Sequence, residues 1–177
     1  MPQFEPSVKF PLTVDGVACR TFEIKHPDQP KAKEYSCHKF GKKAGLTYEL
    51  GIAAIGDQLS WIAGPFPGGC PDSKIFKESG LQQILVDNDA EAIADKGYKG
   101  LDGISITTRY DMDFVKEYKR RLRGRHESFN GHIKKFEILN QAFRHKKDRL
   151  QKHQTVFEAI CIICQYEMEN GFAIFSA

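Results

Sequence analysis

Thr47-Tyr48-Glu49-Leu50-Gly51-Ile52-Ala53-Ala54-Ile55, then Gly56-Asp57-Gln58, then Leu59-Ser60-Trp61-Ile62-Ala63, is the stretch that decides how this chain is read. Two short apolar runs split by a three-residue, Gly-containing break predict a β-hairpin. Upstream, Lys9–Val17 predicts a further strand with Asp15 at its end, and residues 25–44 read as a polar loop. Downstream, Pro65–Pro71 is a turn-rich connection dense in Gly and Pro. Asp72-Ser73 then opens a helical pattern through Ile75, Phe76, Leu81, Ile84 and Leu85, with Asp72 as its N-cap. Ala90–Ala94 and Ile104–Thr108 suggest short strands. From Met112 the apolar period becomes helical, and Phe114, Tyr118, Leu122, Phe129, Ile133 and Phe136 form one stripe. A last helix over residues 148–169 has Leu150, Val156, Phe157, Ile160 and Ile163 on its apolar face. Strands first, then a helix, a strand and more helices predict a mixed α/β sheet with flanking helices. One domain over residues 10–170 is expected, with 1–9 as a lead-in and 171–177 as a tail.

At 177 residues the chain can bury a sizeable core, and 41% hydrophobic with 28% charged residues fits a globular protein. It has no apolar run long enough for a transmembrane helix, and its start lacks the basic and apolar regions of a secretory signal. Five scattered cysteines, an odd number, point to reduced thiols inside a cell. Cys161-Ile162-Ile163-Cys164 has the spacing of half a zinc site but no matching second pair, and it reads as part of a buried helix. His26, His38, His126 and His132 show no zinc-ligand spacing and read as exposed or core residues.

Net charge is only +3, but residues 116–152 carry 13 Lys/Arg against 4 Asp/Glu, and the rest of the chain is net acidic. Such a segment is either a polyanion-binding surface or a solvated helix face, and charge alone does not separate the two. The chain lacks the Gly-Lys-Ser/Thr ending of a P-loop and the Gly-x-Ser-x-Gly elbow of a serine hydrolase.

Four acids remain as candidates: Asp15, Asp72, Asp95 and Glu127. Taken singly, each has a plain reading: Asp15-Gly16 and Asp95-Lys96-Gly97 as turns, Asp72 as a helix cap, and Glu127 as a solvated partner of Arg123. On the long helix Arg123, Glu127, Asn130 and Lys134 share one face, turned away from the apolar stripe. Carboxylates gathered from different elements are what an oxygen-ligand Mg²⁺ or Mn²⁺ site needs.

The series Thr13-Val14-Asp15-Gly16, Gly64-Pro65-Phe66-Pro67 with Pro71-Asp72-Ser73-Lys74-Ile75-Phe76, Ala94-Asp95-Lys96-Gly97-Tyr98 and Arg123-x3-Glu127-x6-Lys134 resembles the DDE-superfamily endonuclease domain. Within it, the Harbinger-like transposases and their bacterial insertion-sequence relatives are the nearest in pattern. The resemblance spans roughly residues 10–170. It implies an RNase H-like fold and metal-dependent DNA cleavage. Asp15, Asp95 and Glu127 would be the catalytic carboxylates. Asp72 would join them as a metal ligand, the choice between Asp72 and Asp95 as second triad member staying open. Arg123 and Lys134 would contact DNA phosphates, and two Mg²⁺ or Mn²⁺ ions would be the cofactors.

The chain departs from the family at position 120, where Arg stands in place of the motif tyrosine and Tyr118 is only nearby. It also begins about nine residues before the first strand, whereas full-length relatives carry a helix-turn-helix region there. DNA-site recognition is therefore expected from a separate protein or not at all. DNA is the expected partner and no membrane is expected. The location would be intracellular, and nuclear if the source is eukaryotic, with oligomer formation left open. The alternative is a non-catalytic DNA-binding or partner-docking module derived from a transposase, or an inactive element fragment.

Overall fold

The computed structural model describes residues 9–22, 31–144, 149–172 and 174–175. Strands β1 (Leu12–Arg20) and β3 (Lys43–Ala53) pair antiparallel from Leu12 opposite Ala53 to Arg20 opposite Gly45. The predicted hairpin is present: β3 turns back into β4 (Leu59–Pro67), antiparallel to it. Gly51 is what lets the pair close, because a Cβ there would lie 2.8 Å from the Trp61 Cβ. The two-residue β2 (Ser36–Cys37) extends the same edge of β3. On the other edge of β1 the sheet turns parallel, through β5 (Ala92–Ile93) and then β6 (Ile104–Ser105). An antiparallel half joined to a parallel half, with helices on both faces, is an α/β RNase H-like arrangement.

Side-chain alternation along β1 separates two cores. Val17 and Cys19 face one side with Leu46, Tyr48, Leu50 and Ile52 of β3. There they meet Phe129 and Ile133 of the long helix α3 (Asp113–Ile133) and Phe157, Ile160 and Cys161 of α5 (Arg149–Glu169). Val14 faces the other side, against Phe76 of α1 (Asp72–Glu78) and Leu81 and Leu85 of α2 (Leu81–Asp87). A one-turn helix, α4 (Glu137–Asn140), links α3 toward α5.

Several boundaries differ from the sequence reading. The first strand runs three residues further than expected, so Asp15 lies inside β1, opposite Leu50, and not at a strand end. The helix expected from Asp72 to Leu85 is two helices, broken at Gly80, whose φ of 89° suits a residue without a Cβ. Asp72 is the first residue of α1 and not its cap; Pro71 takes the cap position with no side-chain hydrogen bond. The stripe on α3 is also different. Phe114 is 52% exposed, and Lys119 and His126 are buried in its place. On α5, Ile163 faces outward, and Cys161 and Cys164 are fully buried free thiols. Among the described residues no helix is long and apolar enough to cross a membrane.

Candidate active site

Asp15 projects from β1 toward α3, where the Asn130 Nδ2 donates to its Oδ2 at 3.0 Å and the Gly16 amide donates to its Oδ1 at 2.8 Å. Asp72 approaches the same strand from the opposite face. Its Oδ1 lies 2.6 Å from where a Gly16 Cβ would be, so the absent side chain at position 16 is what admits it. Its other oxygen, Oδ2, is 3.6 Å from the corresponding point on Gly97. The Gly97 amide donates to Asp95 Oδ1 at 2.7 Å, because Asp95 caps the single turn Lys96–Tyr98 that follows β5. Three carboxylates from β1, α1 and the end of β5 thus flank two glycines.

Glu127 comes from the middle of α3. It lines a hollow of about 110 Å³ together with Asp15, Asp95, Arg123 and His126. Alongside it a groove of about 550 Å³ follows α3, lined by Lys116, Arg120 and Arg123 and by Glu127 itself. Asp72 is not on that hollow's wall. It borders a separate hollow of about 260 Å³ with Lys39 and His38. Lys134, the C-cap of α3, lies outside the residues lining all three.

The electrostatics of Asp15 and Asp72 follow from burial and, after it, from crowding. Burial pushes the Asp15 carboxyl above its ordinary value, the Gly16 amide and Lys39 hold it down, and the charges of Asp72 and Asp95 add to the rise. Asp72 is raised by burial too, with Lys39 opposing and Asp95 adding. Lys39 is anchored here by donating to the Gly16 carbonyl at 3.2 Å. Behind Asp72, Glu49 is fully buried and pushed up to about 7, chiefly by burial and with the Asp72 charge contributing. Its Oε2 accepts from Trp61 Nε1, and its Oε1 has no partner among the described residues.

Ligand atoms of no three of the four acids fall within 4.8 Å of one another, as repulsion among them favours. Hard carboxylate oxygens in that number are donors suited to Mg²⁺ or Mn²⁺. Asp15, Asp95, Glu127 and Asp72 are the residues that could hold such ions.

Three supporting contacts were not apparent in the sequence. His126, 2% exposed, forms a 2.7 Å hydrogen bond through Nδ1 to Thr13 Oγ1, locking α3 to β1 one residue before Glu127 and two before Asp15. Burial drives its pKa down to about 3, so the ring is neutral. Lys119 donates to Asp111 and to the Ile106 carbonyl, tying the loop before α3 onto the helix. Arg125 reaches the β3–β4 turn through Asp57 and the carbonyls of Ala54 and Gly56. The basic helix is therefore less free than its composition suggests, because Lys116 and Arg120 also pair, with Asp113 and Glu117. Among the described residues Arg123 and Glu127 form no ion pair, so the plain reading of Glu127 as its partner does not hold.

Gly16→Ala is expected to displace Asp72, since a 2.6 Å approach must open before a Cβ fits. Divalent-cation binding, followed by calorimetry, should weaken by about tenfold while the melting temperature falls only slightly. Unchanged binding would show that Asp72 plays no part in holding the ion.

No curated protein and no solved structure matches the chain. A family model described as DDE superfamily endonuclease matches residues 17–165, which include Asp72, Asp95 and Glu127 and begin two residues after Asp15. With most of its length so matched, on a mixed sheet that gathers carboxylates beside a basic helix, the chain belongs to the DDE superfamily of endonucleases.

Proposed function

We propose that the chain is the catalytic part of a transposase-type nuclease that cleaves DNA phosphodiester bonds with two Mg²⁺ or Mn²⁺ ions. The observation that carries this reading is the single hollow lined by Asp15, Asp95, Glu127 and Arg123. Asp15, Asp95 and Glu127 would hold the ions as catalytic ligands, with Asp72 a further ligand from the Gly16 side. Such ions, when bound, supply Lewis-acid polarisation of the phosphate and a more acidic water.

The chain's own residues supply orientation and charge. Asn130 and the Gly16 amide fix both oxygens of Asp15. The Thr13–His126 bond sets the height of α3, and with it Glu127, over β1. Arg123 would meet a phosphate beside Glu127, and Lys116 and Arg120 line the groove further along, each paired there with Asp113 or Glu117. Lys134 would reach phosphates further along. Contacts of this kind track a backbone without reading bases, so binding should be salt-sensitive and tolerant of sequence. A separate protein would then choose the target site, and a nuclear location would follow in a eukaryotic cell.

Supercoiled plasmid is the direct test. The chain should convert it to nicked circles with Mg²⁺ or Mn²⁺, stop when excess chelator is added, and lose DNA affinity as salt rises. Nicking that continues unchanged in chelator would overturn the metal-dependent reading, and no nicking with either ion would overturn the enzymatic one.

A further inference from the structure

Where α3 ends against α5, a second group of ligand-type side chains lies apart from the acidic hollow. His132, in the last turn of α3, places Nε2 2.8 Å from Glu167 Oε2. Cys164 stands three residues before Glu167 on α5, so the two share a helix face. One ligand atom from each of the three lies within 4.8 Å of the others, and among the described residues this is the one such trio. Cys164 is fully buried with its thiol free, His132 is 9% exposed, and Phe172 packs on the His132 ring at 5.3 Å.

We propose that His132, Cys164 and Glu167 form a Zn²⁺ site that clasps α3 to α5. Imidazole nitrogen, thiolate sulfur and carboxylate oxygen are the ligand types zinc takes, and the mixed set differs in kind from the all-oxygen donors of the acidic hollow. Three protein ligands leave a fourth tetrahedral position for water. Metal–ligand bonds of about 2.0–2.3 Å put tetrahedral ligand atoms about 3.5 Å apart. The His132–Glu167 pair, at 2.8 Å, must therefore open slightly, a shift that side-chain rotation can supply. Burial, with the Glu167 charge adding, pushes the Cys164 thiol up to about 12. Binding thus replaces the thiol proton with the metal: Cys164 S–H gives up a proton to solvent as its sulfur takes the ion. Cys161, one turn earlier, is not in the trio and stays a core residue. The Cys-x-x-Cys spacing is thereby divided between packing and ligation. The site does not depend on the nuclease reading.

The test uses the whole chain, stripped of metal and titrated with Co²⁺ as a spectroscopic stand-in for zinc. One equivalent should produce a thiolate-to-cobalt charge-transfer band in the near ultraviolet, and Zn²⁺ should remove it. Asp15→Asn should keep the band, Cys164→Ser should lose it, and Glu167→Gln should weaken Zn²⁺ binding at least tenfold. Glu167 is half-buried at the edge of the site, so its variant reports even if the buried Cys164 change perturbs folding. A wild-type titration without the band means that His132 and Glu167 are only a hydrogen-bonded pair, and overturns the proposal. So does a band that survives in Cys164→Ser, or Zn²⁺ affinity unchanged in Glu167→Gln.

Discussion

Asp15→Asn and Glu127→Gln each lower metal-dependent nicking by on the order of 10³-fold, while leaving the protein folded. The two substitutions remove one negative charge each and almost no volume, so what they test is charge at the hollow and not packing. Glu127 is exposed on α3 and makes no ion pair among the described residues. Its neutralisation should shift stability by no more than about 0.5 kcal/mol. Asp15 is held by Asn130 and the Gly16 amide, and an asparagine oxygen can still accept one of those hydrogen bonds. Removing one of three crowded charges from Asp15, Asp72 and Asp95 should hold or raise the melting temperature. Lost nicking with retained stability, measured on the same preparations by plasmid relaxation and thermal melting, is the expected signature. Robust nicking by both variants would remove these carboxylates from the reaction.

The same pair of measurements separates the nuclease from a non-catalytic DNA-binding module. Such a module would retain DNA through Arg120, Arg121 and Arg123 and would be indifferent to Glu127→Gln. Lys146, expected to share in that retention, falls outside the described residues. Among the basic residues of α3, Lys116, Lys119, Arg120 and Arg125 already pair with protein carboxylates. Arg123, beside Glu127 in both the hollow and the groove, is the cation best placed to serve either role.

What the sequence revealed of the fold was its local periodicity. The β3–β4 hairpin was visible because alternation and a Gly-containing break act over a few residues, and α3 and α5 because their apolar positions recur at helical spacing. The parallel half was harder to see: β5 and β6 are two residues each, β5 pairing along the edge of β1 and β6 along the edge of β5. The break at Gly80 was lost because the apolar pattern continues across it into α2. The acids were individually visible and their grouping was not. Nothing local says that Gly16 admits Asp72 from across the sheet, or that Thr13 and His126, 113 positions apart, share a buried hydrogen bond. Asn130 was the exception, since it lies one helical turn from Glu127 and faces the same way. Lys119 and His126 were missed on the buried stripe because a polar side chain there is tolerated only when satisfied by partners from distant segments.

Acid should destabilise the protein through its buried imidazoles, His126 beside the hollow and His153 on α5, and the second can be tested apart from the site. His153 lies fully buried on α5, with Nδ1 hydrogen-bonded to the Tyr48 hydroxyl at 2.8 Å and Phe143 packed edge-on at 4.8 Å. Tyr48 in turn stacks on Phe157 at 3.8 Å, so the ring belongs to the stack that joins β3 to α5. Its Nε2 has no partner among the described residues, and a charged imidazole would leave a buried N–H unpaired. Burial accordingly drives its pKa down to about 4. In the unfolded chain the ring returns to about 6.5. Between those values the unfolded state binds the extra proton, so stability is complete above about pH 6.5 and is lost as pH falls toward 4. At about 1.4 kcal/mol per pH unit, the loss from this ring alone is about 3 kcal/mol, a large part of a typical domain's 5–15 kcal/mol. His153→Gln keeps a polar partner for Tyr48 but cannot take up the proton. Denaturant unfolding across pH 7 to 4 should therefore show a steeper fall for the wild type than for the variant, because carboxylates and the other histidines contribute equally to both. Parallel curves would mean that His153 takes up its proton equally in the folded and unfolded chain, with Nδ1–H donating to the Tyr48 hydroxyl.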